Sequence, residues 1–115
     1  METAAHERMT YAEYCALERE SAIKHEYLRG EVYAMTGGTL EHARLGGRLI
    51  HLLTRELEGR PCQVLTSDAR VRVESTDLDT YPDVSVVWGE LVSAADDERA
   101  LVNPTLVVEV LSDST

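Results

Sequence analysis

Two carboxylates stand where carboxylates are costly. Glu109 interrupts the run Thr105-Leu106-Val107-Val108-Glu109-Val110-Leu111, which beyond Thr105 is otherwise apolar on both faces. Such a run reads as a strand in the middle of a sheet, and a charge inside it needs a proton, a basic side chain or a metal ion to neutralise it. Asp83 follows Pro82 near the head of a second run, Tyr81-Pro82-Asp83-Val84-Ser85-Val86-Val87-Trp88, a strand able to lie beside the first. If the two acids meet, a divalent cation between them removes their repulsion. Oxygen donors with no Cys or His cluster nearby favour magnesium or manganese over zinc. Spacing alone leaves the ordinary alternatives open, and favours them. Asp83 is then a turn residue after proline, and Glu109 is paired with Arg70 or Arg72.

The elements that must position these acids can be read from periodicity. Thr10-Tyr11-Ala12-Glu13 has the spacing of a capping box, with Met9 and Tyr14 placed as a hydrophobic staple, so a helix is expected from about Tyr11 to Glu20. Tyr27 to Tyr33 reads as two short strands turning at Arg29-Gly30. After Gly37-Gly38, Thr39 offers an N-cap for a longer helix, about Leu40 to Leu57, ended by Gly59 and Pro61. Leu45, Leu49, Leu52 and Leu53 share one face of it. Arg44, Arg48, His51 and Arg55 share the opposite one, most simply a solvated stripe. His42 falls with the leucines, where a hydrogen-bonded core histidine is the commoner reading. Cys62–Leu65 and 69–74 look like strands, and the alternation of Arg70, Arg72 and Glu74 with Val71 and Val73 implies one wet face. A polar turn, Thr76 to Asp79, and an acidic loop, Asp96-Asp97-Glu98, separate the later strands.

Length and charge bound the rest. The 115 residues make one domain, with 43% apolar residues and few aromatics. No stretch approaches the roughly 20 apolar residues of a membrane span, and the N-terminus has no signal-peptide core, so a soluble cytoplasmic protein is expected. Cys15 and Cys62 are isolated and read as free thiols. The net charge of −10 argues against broad binding to phosphate backbones, although a bound cation can supply positive charge locally. Lys24 is the only lysine.

Four segments in order then carry a resemblance: His25-Glu26-Tyr27-Leu28-Arg29-Gly30-Glu31-Val32-Tyr33-Ala34-Met35, Glu41-His42, Tyr81-Pro82-Asp83-Val84-Ser85-Val86, and Pro104 to Ser112. Together they resemble the restriction-endonuclease-like family of bacterial proteins within the PD-(D/E)XK nuclease superfamily, over nearly the whole chain. The resemblance implies an α/β (α+β) fold, a mixed sheet with a helix on each face and a site at the sheet's edge. It implies a magnesium- or manganese-dependent endonuclease acting on nucleic acid, DNA rather than RNA. Asp83, Glu109 and the Val110 carbonyl would hold the ion. Glu26 looks like the family's additional acid, and His42 and Ser112 stand at positions the family favours, His42 bonding a phosphate oxygen or fixing a carboxylate.

One part of the pattern departs. The signature lysine two residues after the second acid is Leu111 here, and in this family it is expected on a following helix that the chain does not reach. The expectation is therefore a single domain, 1–115, lacking the last helix and strand of the core and weak or inactive as a nuclease. Its 106–111 strand, left with an open edge, is expected to drive dimerisation or self-association. A non-catalytic degenerate nuclease fold and a protein-interaction module are the alternatives.

Overall fold

A computed structural model describes residues 8–111. Helix α1 (Tyr11–Glu20) begins at the expected cap: the Glu13 amide donates to Thr10 Oγ1 at 3.1 Å and the Thr10 amide to Glu13 Oε1 at 2.9 Å. Strands β1 (His25–Leu28) and β2 (Glu31–Ala34) form an antiparallel hairpin. Its turn residues Arg29 and Gly30 have φ of +50° and +94°, the left-handed pair that matches strand twist in a two-residue hairpin. Helix α2 (Leu40–Glu56) starts at Thr39, whose Oγ1 accepts from the His42 amide. Seven further strands follow: β3 (Cys62–Leu65), β4 (Arg70–Val73), β5 (Leu78–Thr80), β6 (Val84–Trp88), β7 (Ser93–Ala94), β8 (Asp97–Leu101) and β9 (Leu106–Val108).

The strands form two sheets, where one was expected. The larger, in the order β2-β1-β5-β4-β8-β7, is mixed because β4 and β8 run parallel; the smaller, β3-β6-β9, is antiparallel. Val71 and Leu101 of the larger sheet pack on Val87 and Leu65 of the smaller, and this cluster joins the two. Helix α1 covers the larger sheet through Tyr14 and Cys15, which pack on Tyr27 and Val32. Helix α2 lies against β3 and β6 with its leucine face half-buried and the arginine stripe exposed. Among the described residues no helix is long and apolar enough to cross a membrane.

Four expectations need correction. The arginine face of β4 is not wet: Arg70 is 3% exposed, because α1 lies over it. Asp79 is not in a polar turn but in β5, fully buried, with Arg70, Arg72 and Tyr11 around it. The acidic loop is a hairpin of β7 and β8 whose Asp97 is buried against Arg70. Finally, β9 is an edge strand of three residues, and Glu109 lies one residue past it instead of inside a central strand. The first three share one cause. Opposite charges buried together have no hydrophobic signature, so each reads alone as a solvated residue.

Candidate functional site

The acids approach each other through the pairing of β6 and β9. Val84 faces Val108 in that ladder, so continuing the antiparallel register by one residue sets Asp83 opposite Glu109. The Asp83 carboxylate stands close enough to act on the Glu109 carboxyl. The Val110 amide donates to Asp83 Oδ2 at 2.7 Å, and His42 Nε2 lies 3.2 Å from the same oxygen. Glu109 is exposed as a residue, yet its carboxyl is held above the usual range. Burial contributes most to the shift, then the charge and hydrogen bond of Asp83, then the charge of Glu26; His42 opposes them. Arg70 and Arg72, the alternative partners for Glu109, are occupied by Asp79, Asp97 and Asp77.

Each group comes from a different element. Glu26 lies on β1, where the hydroxyl of Thr80 donates to it. His42 sits in the first turn of α2 and reaches Asp83 because position 38 is glycine. A Cβ there would stand 2.8 Å from the His42 ring. Pro82 is buried and stiffens the approach to Asp83. Ser112 lies outside the described residues, and Leu111, at the signature-lysine position, is 89% exposed.

A cleft of about 540 Å³ opens beside this cluster, between the segment leading into β1, the β2–α2 loop, α2 and the β3–β4 loop. Lys24, Tyr81, His42 and Asp83 line it, with Gly38 and Gly46 leaving one wall bare of side chains. Lys24 Nζ is 2.9 Å from Asp68, donates to the Ser67 carbonyl and stands 5.4 Å from the Tyr81 ring centre. Sequence reasoning did not find Tyr81 or Glu18 as parts of this region. The available signal for Glu18 was its place four residues after Tyr14, an acid on the buried face of α1.

As to fit for a cation, the donor chemistry is right and incomplete. A carboxylate that raises its neighbour's affinity for a proton, as Asp83 does that of Glu109, marks a site short of positive charge, and the oxygens of both are the hard ligands magnesium and manganese prefer. Among the described residues no three His, Cys, Asp or Glu side chains are already gathered in an ion-binding arrangement. An ion held by Asp83 and Glu109 would therefore complete its shell with main-chain, water or substrate oxygens.

Comparison with known proteins places this geometry. Residues 11–115 match the family model Uma2, described as "Putative restriction endonuclease". Two uncharacterized proteins of Synechocystis sp., slr1290 and sll1609, are 36% and 34% identical over 94% and 92% of the chain. The chain spans 56% and 60% of their lengths. A crystal structure from Anabaena variabilis, described as "a putative nuclease belonging to DUF820", superposes with a TM-score of 0.62 at 20% identity. The match covers 81% of this chain and 53% of that one. The likeness shows a shared fold, the restriction-endonuclease-like mixed α+β arrangement.

Proposed function

We propose that this chain, which belongs to the Uma2 family of restriction-endonuclease-like proteins, carries a metal-dependent endonuclease site at Asp83 and Glu109. The observation that carries the reading is the β6–β9 register, which sets Asp83 opposite Glu109 with His42 Nε2 3.2 Å from Asp83. The raised Glu109 carboxyl, with burial, Asp83 and Glu26 as its causes, supports it. Glu109 and Asp83 would hold the ion, magnesium or manganese, with the Val110 carbonyl as a further oxygen. When bound, the ion would supply positive charge for the scissile phosphate and acidify a water molecule. Glu26 would orient the attacking water, and His42 holds Asp83 in place through its ring nitrogen. The nucleic acid strand, DNA in preference to RNA, follows the cleft from Asp83 to Lys24. There the ammonium meets a neighbouring phosphate, since its half-exposed pair with Asp68 is cheap to exchange.

The test is supercoiled plasmid incubated with the protein and magnesium, manganese or chelator. Nicking that requires either ion is the expected result, and ion-independent cleavage overturns the assignment. A second reading, ion binding without cleavage, is favoured by one observation, the solvent-exposed Leu111 where the signature has lysine. It predicts Mn2+ binding by calorimetry with intact plasmid.

The open edge of β9, with Leu106 and Val107 nearly half exposed beside the exposed Trp88, is a surface for self-association. Light scattering is expected to show apparent mass rising with concentration, and Val107→Lys to suppress the rise. A constant monomer mass up to ~100 µM, well inside the µM–mM range in which unpaired strand edges associate, counts against it.

A further inference from the structure

The acids of the candidate site belong to two sheets that share no hydrogen-bond ladder. Glu26 is on β1 of the larger sheet, whereas Asp83 leads into β6 of the smaller one. The Val71–Val87 core cluster and the Thr80 hydroxyl on Glu26 are two ties between them, and Glu18 of α1 supplies a third that holds both approaches at once. Its side chain is 4% exposed, a carboxylate taken almost wholly out of water. Unlike Asp79 and Asp97, it forms no ion pair with an arginine among the described residues. Oε1 accepts from the Tyr81 hydroxyl at 2.7 Å and from the His25 amide at 3.0 Å, and Oε2 lies 2.7 Å from His25 Nδ1.

These partners stand immediately upstream of the two acids. His25 is one residue before Glu26. Tyr81 is two before Asp83, with the stiff, buried Pro82 between them. The Tyr14 hydroxyl, one turn earlier on α1, donates to the His25 carbonyl at 2.6 Å and grips the same point of β1. A buried charge held by hydrogen bonds is an expensive way to fasten a helix, because apolar packing does that as well or better. What the carboxylate supplies and apolar packing lacks is direction: two oxygens that fix two separate segments at set distances.

We infer that Glu18 is a positioning residue: by holding Tyr81 and His25 together it sets the distance between Asp83 and Glu26. This rests on the reading of those acids as an ion site, and it extends that site's supporting groups to α1. Tyr81→Phe removes one of the donors and leaves the ring in place. Glu18→Gln keeps an acceptor for Tyr81 and His25, and the imidazole can change tautomer to accept from the new amide. Glu18→Ala removes everything.

The experiment measures Mn2+ affinity by calorimetry and the Asp83–Glu26 separation in crystals of the metal-free variants, on the full chain. Loss of a group supporting metal ligands typically weakens ion affinity about 10–100-fold. That loss is expected for Glu18→Ala, with a smaller loss of the same sign for Tyr81→Phe and near-complete rescue by Glu18→Gln. In the Glu18→Ala background Tyr81→Phe should add nothing, since the two residues act as a unit. Should Glu18→Ala fail to fold, the Tyr81→Phe and Glu18→Gln pair decides the matter. Variants that melt at lower temperature but keep wild-type Mn2+ affinity and acid separation show that Glu18 only holds the fold, and the inference is then wrong. If the wild-type protein binds no Mn2+, the ion-site reading fails; the separation in the variant crystals still judges Glu18 by itself.

Discussion

Asp83→Ala is expected to lower ion-dependent plasmid cleavage by more than about 100-fold. Loss of a group that merely supports a metal ligand costs up to that much, and Asp83 is assigned as a ligand itself. It also removes the acceptor of the Val110 amide and the partner of His42, so the end of β9 loses its link to β6. Glu109→Gln separates function from fold more cleanly. Its carboxyl is held above the ordinary range by burial, by Asp83 and by Glu26. Over the pH window between the unfolded and folded values, the folded protein keeps a proton that the unfolded chain has released. Stability therefore falls as pH rises through that window and stays lower at neutrality. Glu109→Gln lifts this penalty. At pH 7 the metal-free variant should melt higher than wild type, by the equivalent of less than about 1 kcal/mol because solvent screens a partly exposed pair. Cleavage should be lost in the same protein. A variant that is less stable, or equally active, contradicts the assignment of Glu109.

The larger effect on stability is expected beneath α1. Asp79 is fully buried, accepts from Arg72 at 2.7 Å and Tyr11 at 2.7 Å, and is ion-paired with Arg70 Nε at 3.1 Å; Arg70 also meets Asp97, and Arg72 meets Asp77 at 2.9 Å. The guanidinium of Arg72 lies 3.7 Å over the Tyr11 ring, and that of Arg70 5.3 Å over Tyr14. Burial pushes the Asp79 carboxyl up, while Arg72, Tyr11 and Arg70 pull it back. Asp97 is likewise opposed by burial, but hydrogen bonds from Cys15, the Arg99 amide and Arg70 win and hold it below the usual range. Asp79→Ala leaves two guanidiniums short of a partner in a place water does not reach. A loss of about 3–5 kcal/mol is expected in urea unfolding, a large share of the 5–15 kcal/mol typical of a domain. Arg70→Met should cost a similar amount by stranding Asp79 and Asp97. Combining Arg70→Met with Asp97→Leu should recover part of it, since an apolar replacement for a whole buried pair is often tolerated. A loss below about 1 kcal/mol for Asp79→Ala would show the cluster to be solvated after all.

Local chemistry was legible wherever neighbours in the chain decide the outcome. The Thr10–Glu13 cap, the left-handed turn at Arg29-Gly30 and the leucine face of α2 all follow from short-range spacing, hydrophobic period or backbone sterics, whereas the pairing of the Asp83 and Glu109 runs was suggested by the family resemblance and not by spacing. Long-range pairing decided the remainder. The strands β5, β7 and β8 are only two to five residues long, with a buried aspartate in β5 and three charged residues in β8, so no apolar alternation marks them. Whether Arg70, Asp79 and Asp97 are solvated or buried depends on α1 lying across them, and none of the three is adjacent in sequence to another. The division of the strands into two sheets, and with it the need for a tie such as Glu18 between Glu26 and Asp83, likewise arises from packing. A charge carries no mark of its partner until the chain has brought the two together.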